Sequence, residues 1–277
     1  MTAINEYEQF LSLACDLARR GGELAKSLVG KTAASRKADK SVVTEADKKV
    51  QDLIVGELAV KYPDHGLIAE EETPLTAGRP GGDAEYVWSI DPIDGTRNYA
   101  SGIHVYCCSI ALLRNGQPVV GAIYEPNFNW LFSAAAGRPA TLNGEVISVR
   151  RERFSKETVL AFAISTYAHR PACLHKLMDD CVVRNAGTVA LHLGMVASGK
   201  MDATINCSGK LWDIAAGALI ARQAGADIRL LNEQFQFEDR PLWPMNLADY
   251  HNEAIPIAVG NSDLMADLNK FLKGTGE

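Results

Sequence analysis

The 277-residue sequence predicts a mixed α/β (α+β) protein, with a largely antiparallel sheet in its N-terminal half and alternating strands and helices beyond about residue 150. Three observations carry this expectation. Asn115-Gly116, between the apolar runs Ile103–Arg114 and Pro118–Tyr124, is a strong two-residue hairpin signal, and Trp130–Ala136 extends the sheet by a strand. Between residues 7 and 28, Tyr7, Phe10, Leu11, Ala14, Leu17, Ala18, Ala25 and Leu28 fall on one face of a helix. In the second half, short apolar runs are separated by segments with helical periodicity and helix-start residues.

Taken in order, the first helix is followed by Gly30-Lys31-Thr32, which resembles the end of a phosphate-binding P-loop. That motif needs a glycine where Ala25 stands, and it should follow a strand, so it is rejected. Residues 41–47 enter a second helix, with Thr44 as N-cap and Val50, Leu53, Ile54 and Leu58 on its apolar face. Asp47, three residues after Thr44, by itself reads as a capping acid. Gly66–Ala69 is a short strand that stops at Glu70-Glu71-Glu72, a triplet that alone reads as a solvated charge run.

The stretch from Trp88 to Tyr99 is the most informative. An apolar strand ends in Asp91-Pro92-Ile93-Asp94-Gly95-Thr96, where Pro92 holds Asp91 extended and Gly95 permits a tight turn into a helix. The first N–H groups of that helix, from Gly95, Thr96 and Arg97, suit an anion, whereas Asp91 and Asp94 repel one. A cation between them reconciles the two. Further on, Val159–Ile164, Val182–Arg184, Asp202–Cys207, Asp227–Leu231 and Ala254–Val259 read as strands. Pro171–Cys181, Gly187–Ser198, Leu211–Ile220 and a last segment capped by Ser262 read as helices.

Composition narrows the function. With 47% hydrophobic residues the chain can bury a substantial core, and its length suits one domain, or two closely joined halves meeting near residue 150. A net charge of -6 with no Lys/Arg stripe argues against a nucleic-acid binder. No apolar run spans a membrane and the N-terminus does not read as a signal, so a cytoplasmic protein is expected. The six cysteines form no C-x-x-C pair and are expected as buried, reduced thiols.

The candidate acids are Asp47, Glu70, Glu71, Asp91, Asp94 and Asp213. If they converge, their repulsion calls for cations, and an oxygen-only ligand set favours Mg²⁺ or Mn²⁺ over zinc. Two such ions can stabilise both the attacking water and the leaving oxygen of a phosphate ester. Other hydrolytic patterns fail. Asp91 and Asp94 are three positions apart where a haloacid-dehalogenase phosphatase needs two, no EF-hand or G-x-S-x-G is present, and the six histidines form no ligand pair and are expected at the surface or in the core.

Asp91-Pro92-Ile93-Asp94-Gly95-Thr96, with Thr44-Glu45-Ala46-Asp47 and Ile68-Ala69-Glu70-Glu71 before it and Trp212-Asp213-Ile214-Ala215-Ala216-Gly217 after it, resembles the inositol monophosphatase family of magnesium-dependent, lithium-sensitive phosphatases. The motifs occur in the family's order and span the chain. The resemblance implies a layered α/β/α/β/α sandwich with a second, smaller mixed sheet, a metal site between the halves, and a homodimer. It implies that Glu70, Asp91 and the carbonyl of Ile93 hold one Mg²⁺, that Asp91, Asp94 and Asp213 hold a second, and that Glu70 helps a third. Thr96, paired with Asp47 and beside Glu71, would orient the attacking water, and the N–H groups of Gly95 and Thr96 would bind phosphate.

The substrate side matches less closely. Gly187 and Thr188 lie in the loop expected to face the phosphoester. Asn206 stands where inositol-binding members place an acid, Val189 where a small residue is common and His104 where a proline is frequent. The implied substrate is a small polyol or sugar phosphate, inositol 1-phosphate by default. Histidinol phosphate, fructose 1,6-bisphosphate or a 3′-phosphoadenosine nucleotide are alternatives, and a catalytically weak binding or regulatory protein is a further one.

Overall fold

A computed structural model of the chain describes residues 3–31, 34–36, 42–76, 83–163, 172–250 and 252–274. In chain order its helices are α1 (Ala3–Leu28), α2 (Glu45–Lys61), α3 (Thr96–Ala100), α4 (Ala172–Asp179), α5 (Val189–Ala197), α6 (Leu211–Gln223) and α7 (Ser262–Leu272). A short ribbon pairs β1 (Ala34–Arg36) with β2 (Val42–Thr44). The large sheet follows, with β3 (Gly66–Ala69), β4 (Tyr86–Asp94), β5 (Cys107–Arg114), β6 (Gln117–Glu125), β7 (Trp130–Ala135), β8 (Thr141–Leu142) and β9 (Glu145–Val146) in sequence order. Only β3 and β4 pair in parallel; the other neighbours are antiparallel. The smaller sheet contains β10 (Val159–Ala163), β11 (Val182–Arg184), β12 (Ala203–Asn206), β13 (Asp227–Leu230) and β14 (Ile257–Gly260), in the order β11-β10-β12-β14-β13. It is mixed, because β10 runs parallel to β11 and β12 whereas β14 runs antiparallel to its neighbours.

Five layers result. Helices α1 and α2 bury Leu17, Val50 and Ile54 against the Trp88, Ile90 and Ile110 face of the large sheet. On its other face lie α5 and α6, which also cover the smaller sheet. Because α6 is enclosed on both sides, its apolar residues run around most of its circumference, from Leu211 and Ile214 to Ala218 and Ala221. Outermost, α4 and α7 pack Leu174, Leu177, Leu264 and Leu268 on the far face of the smaller sheet. This is the α/β/α/β/α sandwich that the motifs imply.

Local expectations hold where local chemistry decides them. Asn115 and Gly116 both have positive φ, 49° and 74°, and join β5 to β6 as a tight hairpin. Thr44 caps α2, and Asp47 completes the capping box. Several boundaries move. The strand expected from Ile103 begins at Cys107, because the chain leaving α3 first curls through Ile103 N to Asn98 O and Val105 N to Ile103 O bonds. The strand expected from Ala254 begins at Ile257. Helix α7 is capped by Asn261 and not Ser262, since the side-chain Oδ1 of Asn261 accepts from Asp263 N and Leu264 N at 3.0 Å each. Ser41, the expected ends at Ile164 and Pro171, and His169 and His251 lie outside the described residues. The five cysteines whose side chains are described are free thiols, and no helix among the described residues is long and apolar enough to cross a membrane.

Candidate active site

The site forms where β4 ends. In a regular strand, residues three apart point to opposite faces. Pro92 lacks an N–H for the ladder, and the pairing of β4 with β5 shifts register between Asp91 and Asp94. That irregularity brings the two carboxylates together. One oxygen each from Asp91, Asp94 and Asp213 lie within 4.8 Å of one another. Ile93 N donates to Asp91 Oδ1 at 3.0 Å, which fixes the bend. Gly95 then takes a φ of 97°, and a Cβ there would stand 3.1 Å from the Val105 carbonyl, so the turn into α3 needs glycine.

Each acid of the cluster has one oxygen held by backbone. Asp94 Oδ2 accepts from Ala190 N at 2.6 Å, in the first turn of α5. Asp213 Oδ2 accepts from Lys210 N at 2.7 Å, closing the start of α6. Asp91 and Asp94 are 1% and 7% exposed, so their charges are largely removed from water. Burial pushes Asp94 up to about 6. Burial, then the charge of Asp94, pushes Asp213 up to about 8. Asp91 is driven well above the usual carboxylate range by burial, then by Glu70, Asp213 and Asp94. An all-carboxylate cluster with this excess of negative charge fits a hard divalent cation.

Beside the cluster stands a second group. Asp47 is fully buried, with Oδ2 accepting from Thr44 N at 2.8 Å and from Thr44 Oγ1 at 2.6 Å. Its Oδ1 accepts from Thr96 Oγ1 at 3.3 Å, and the same hydroxyl lies 3.0 Å from the Ile93 carbonyl. Burial raises Asp47 to about 6, opposed by the Thr44 bonds and assisted by Glu70 and Glu71. Glu70 also acts on Asp91 and Asp213, so the end of β3 borders the cluster.

Glu71 is buried and therefore no solvated charge, whereas Glu72 is exposed. What holds Glu71 is a residue the sequence reading missed. Gln51 Nε2 donates to the Glu71 carbonyl at 2.5 Å and Gln51 Oε1 accepts from Glu71 N at 2.9 Å. A glutamine next to Val50, on the largely apolar buried face of α2, was the available signal. Cys107 is a second omission, with its thiol 3.9 Å from Asp94 Oδ2 and 3.8 Å from Thr188 Oγ1.

The residues expected on the substrate side are placed differently. Thr188 is buried and its hydroxyl accepts from Leu191 N at 3.0 Å, capping α5 directly beside Asp94. Gly187 is exposed in the turn before it. Asn206 is 1% exposed, and its Oδ1 accepts from Ser208 N and Gly209 N at 3.1 and 3.0 Å, so its carbonyl is committed to the turn that follows β12.

Comparison with known proteins gives the family. The family model described as the inositol monophosphatase family matches residues 6–267. A protein of Aquifex aeolicus named fructose-1,6-bisphosphatase/inositol-1-monophosphatase is 31% identical over 241 residues, covering 84% of this chain and 89% of the relative. Nus factor SuhB of Escherichia coli K12 is 34% identical over 224 residues, covering 78% and 82%. The solved structure of an inositol monophosphatase from Anabaena superposes with a TM-score of 0.79 at 28% identity, covering 96% of each chain. The chain therefore belongs to the inositol monophosphatase family, metal-dependent phosphatases that hydrolyse phosphate monoesters.

Proposed function

We propose that the chain is a Mg²⁺-dependent phosphomonoesterase of small polyol or sugar phosphates, with inositol 1-phosphate as the first candidate. The observation that carries the proposal is the three-carboxylate cluster of Asp91, Asp94 and Asp213 beside the Asp47–Thr96 pair. Glu70, Asp91 and the Ile93 carbonyl would hold one ion. Asp91, Asp94 and Asp213 would hold a second, with Glu70 contributing to a third, and the same oxygen donors would accept Mn²⁺. When bound, the metal supplies positive charge that polarises the phosphate and lowers the pKa of the attacking water.

The chain's own residues orient that water. Thr96 Oγ1 directs its proton toward Asp47 or the Ile93 carbonyl, which leaves its lone pairs to accept a hydrogen from the water. Asp47, with a pKa near 6 and Glu71 beside it, is suited to accepting a proton relayed through Thr96 Oγ1 as the water gives up its own. The N–H groups of Gly95 and Thr96 at the start of α3 serve the phosphate oxygens, since the first N–H groups of a helix lack intrahelical partners.

On the substrate, the Aquifex relative's name supports sugar and polyol phosphates. Gly187 remains the accessible part of the phosphoester-side loop, and Thr188 supports it as the α5 cap. Asn206, tied to Ser208 and Gly209, contributes shape more than a charged grip on a hydroxyl. A regulatory protein that merely keeps the fold would be expected to lose a ligand acid or Thr96, and all are present. The single-domain organisation across residue 150 is supported by α5 and α6, which pack against both sheets. The homodimer and lithium sensitivity enter through family membership, and a cytoplasmic site is consistent with the free thiols.

Phosphate release from a panel of inositol 1-phosphate, fructose 1,6-bisphosphate, histidinol phosphate and a 3′-phosphoadenosine nucleotide, with and without Mg²⁺, tests the reading. Release is expected only with Mg²⁺, and Asp94→Asn should lower it by more than about 100-fold in a folded protein. Near-normal turnover of Asp94→Asn would overturn the two-metal assignment.

A further inference from the structure

The turn that leads into α5 is gripped at one peptide from both sides. Ala186 donates its N–H to His192 Nε2 at 2.8 Å, and its carbonyl accepts from Asn98 Nδ2 at 2.7 Å. Asn98 gives its other amide hydrogen to the Val105 carbonyl, also at 2.7 Å. Its side chain lies against Gly187, where φ is 76° and a Cβ would stand 2.8 Å from Asn98 Nδ2. Asn98, in α3, lies four residues after Asp94 at the end of β4, and Ala190 N, four residues past Ala186, donates back to Asp94 Oδ2 at 2.6 Å. These contacts close a ring: Asp94 through α3 to Asn98, on to Ala186 and His192, and along α5 back to Asp94.

His192 does not behave as an ordinary core residue. It is 1% exposed, and burial pushes its pKa down to about 4, which keeps the ring neutral and Nε2 an acceptor. The ring proton then sits on Nδ1, which has no hydrogen-bond partner among the described residues. A buried, unpaired N–H opposes folding. The bond that Nε2 accepts from Ala186 N is what His192 supplies in return.

We propose that Asn98 and His192 are positioning residues for Asp94: by holding the Ala186 peptide they fix the first turn of α5, which binds Asp94 Oδ2 and leaves Oδ1 for the cation. The inference rests on the metal-dependent phosphatase reading. It follows from the general behaviour of metal sites, in which groups that orient a ligand carboxylate control affinity although they never touch the ion.

Calorimetric titration of the metal-free protein with Mg²⁺, alongside initial rates of phosphate release, tests the proposal. His192→Leu and Asn98→Ala are each expected to weaken Mg²⁺ binding by about 10-fold or more, and His192→Gln, which returns an acceptor near the Nε2 position, to stay within about three-fold of the unaltered protein. Because both residues hold one peptide, the double variant should lose little more than the worse single one. Full additivity, or unaltered Mg²⁺ affinity in both folded single variants, overturns the proposal. Should a single variant fail to fold, His192→Gln is compared with His192→Asn, whose shorter amide places its acceptor away from Ala186; equal Mg²⁺ affinities in these two also overturn it. Absence of Mg²⁺-dependent phosphate release from the unaltered protein would instead remove the phosphatase reading, and the calorimetric comparison would still decide the clamp.

Discussion

Helices α2 and α6 begin with the same local device and use it for different ends. In α2, Thr44 N donates to Asp47 Oδ2 at 2.8 Å; in α6, Lys210 N donates to Asp213 Oδ2 at 2.7 Å. Both acids stand three residues past the cap, where a carboxylate satisfies an open N–H and suits the helix dipole. The difference lies in what the second oxygen meets. Asp47 Oδ1 meets one hydroxyl, from Thr96, while Asp213 meets Asp91 and Asp94. Burial raises both, yet the Thr44 bonds hold Asp47 near 6 whereas the charge of Asp94 helps to carry Asp213 to about 8. A capping bond orients a carboxylate, and its tertiary neighbours decide whether it becomes a ligand or a base.

The strongest test of that contrast is a pair of isosteric substitutions. Asp213→Asn keeps an oxygen for Lys210 N but removes the charge, and should lower Mg²⁺-dependent phosphate release by more than about 100-fold together with Mg²⁺ binding. Asp47→Asn should lower turnover by roughly 100-fold while Mg²⁺ binding by calorimetry stays near normal. Equal losses of Mg²⁺ affinity in the two variants would erase the distinction.

A smaller effect concerns pH in metal-free protein. Asp94 and Asp213 have folded pKa values of about 6 and about 8, above their ordinary 3.8, so the folded state retains protons that the unfolded chain has released. Stability from these groups is therefore greatest near pH 4 and falls as pH rises through 6 toward 8. Melting temperatures in EDTA should show the unaltered protein declining over that range relative to Asp213→Asn, with Mg²⁺ suppressing the decline in the unaltered protein. A melting temperature of the unaltered protein that rises relative to that of Asp213→Asn with rising pH in EDTA would contradict the assignment.

Smallest is the cap itself. Thr44→Ala removes the hydroxyl that accepts from Ala46 N and donates to Asp47, and should cost about 1 kcal/mol, or roughly 2–4 °C in melting temperature. Mg²⁺ binding should be unchanged, because Asp47 faces Thr96 and not the carboxylate cluster. A clear loss of Mg²⁺ affinity in Thr44→Ala would place Asp47 among the ligands.

Much of this was legible in the residues. The hairpin at Asn115-Gly116, the cap at Thr44, the break at Pro92 and the start of α6 at Asp213 depend on contacts within a few positions along the chain, so their chemistry is written locally. Glu71 was less legible, since an adjacent glutamate triplet does not reveal that Gln51, 20 residues earlier, will bury the middle one. Asn206 was visible as a departure but not as a turn-former, because the Ser208 and Gly209 N–H groups that occupy its carbonyl are ordinary loop donors.

The sequence by itself determined the reaction class, through acids placed at strand ends and helix starts, where nearby backbone N–H groups hold one oxygen of Asp47, Asp91 and Asp213. Only the tertiary structure decided what the other oxygens meet. Asn98 reaches Ala186 across 88 residues, and the oxygens of Asp91 and Asp213 converge only because α6 is held between the two sheets. Such contacts depend on how α3, α5 and α6 pack, and packing is a property of the whole core that no short stretch of residues carries.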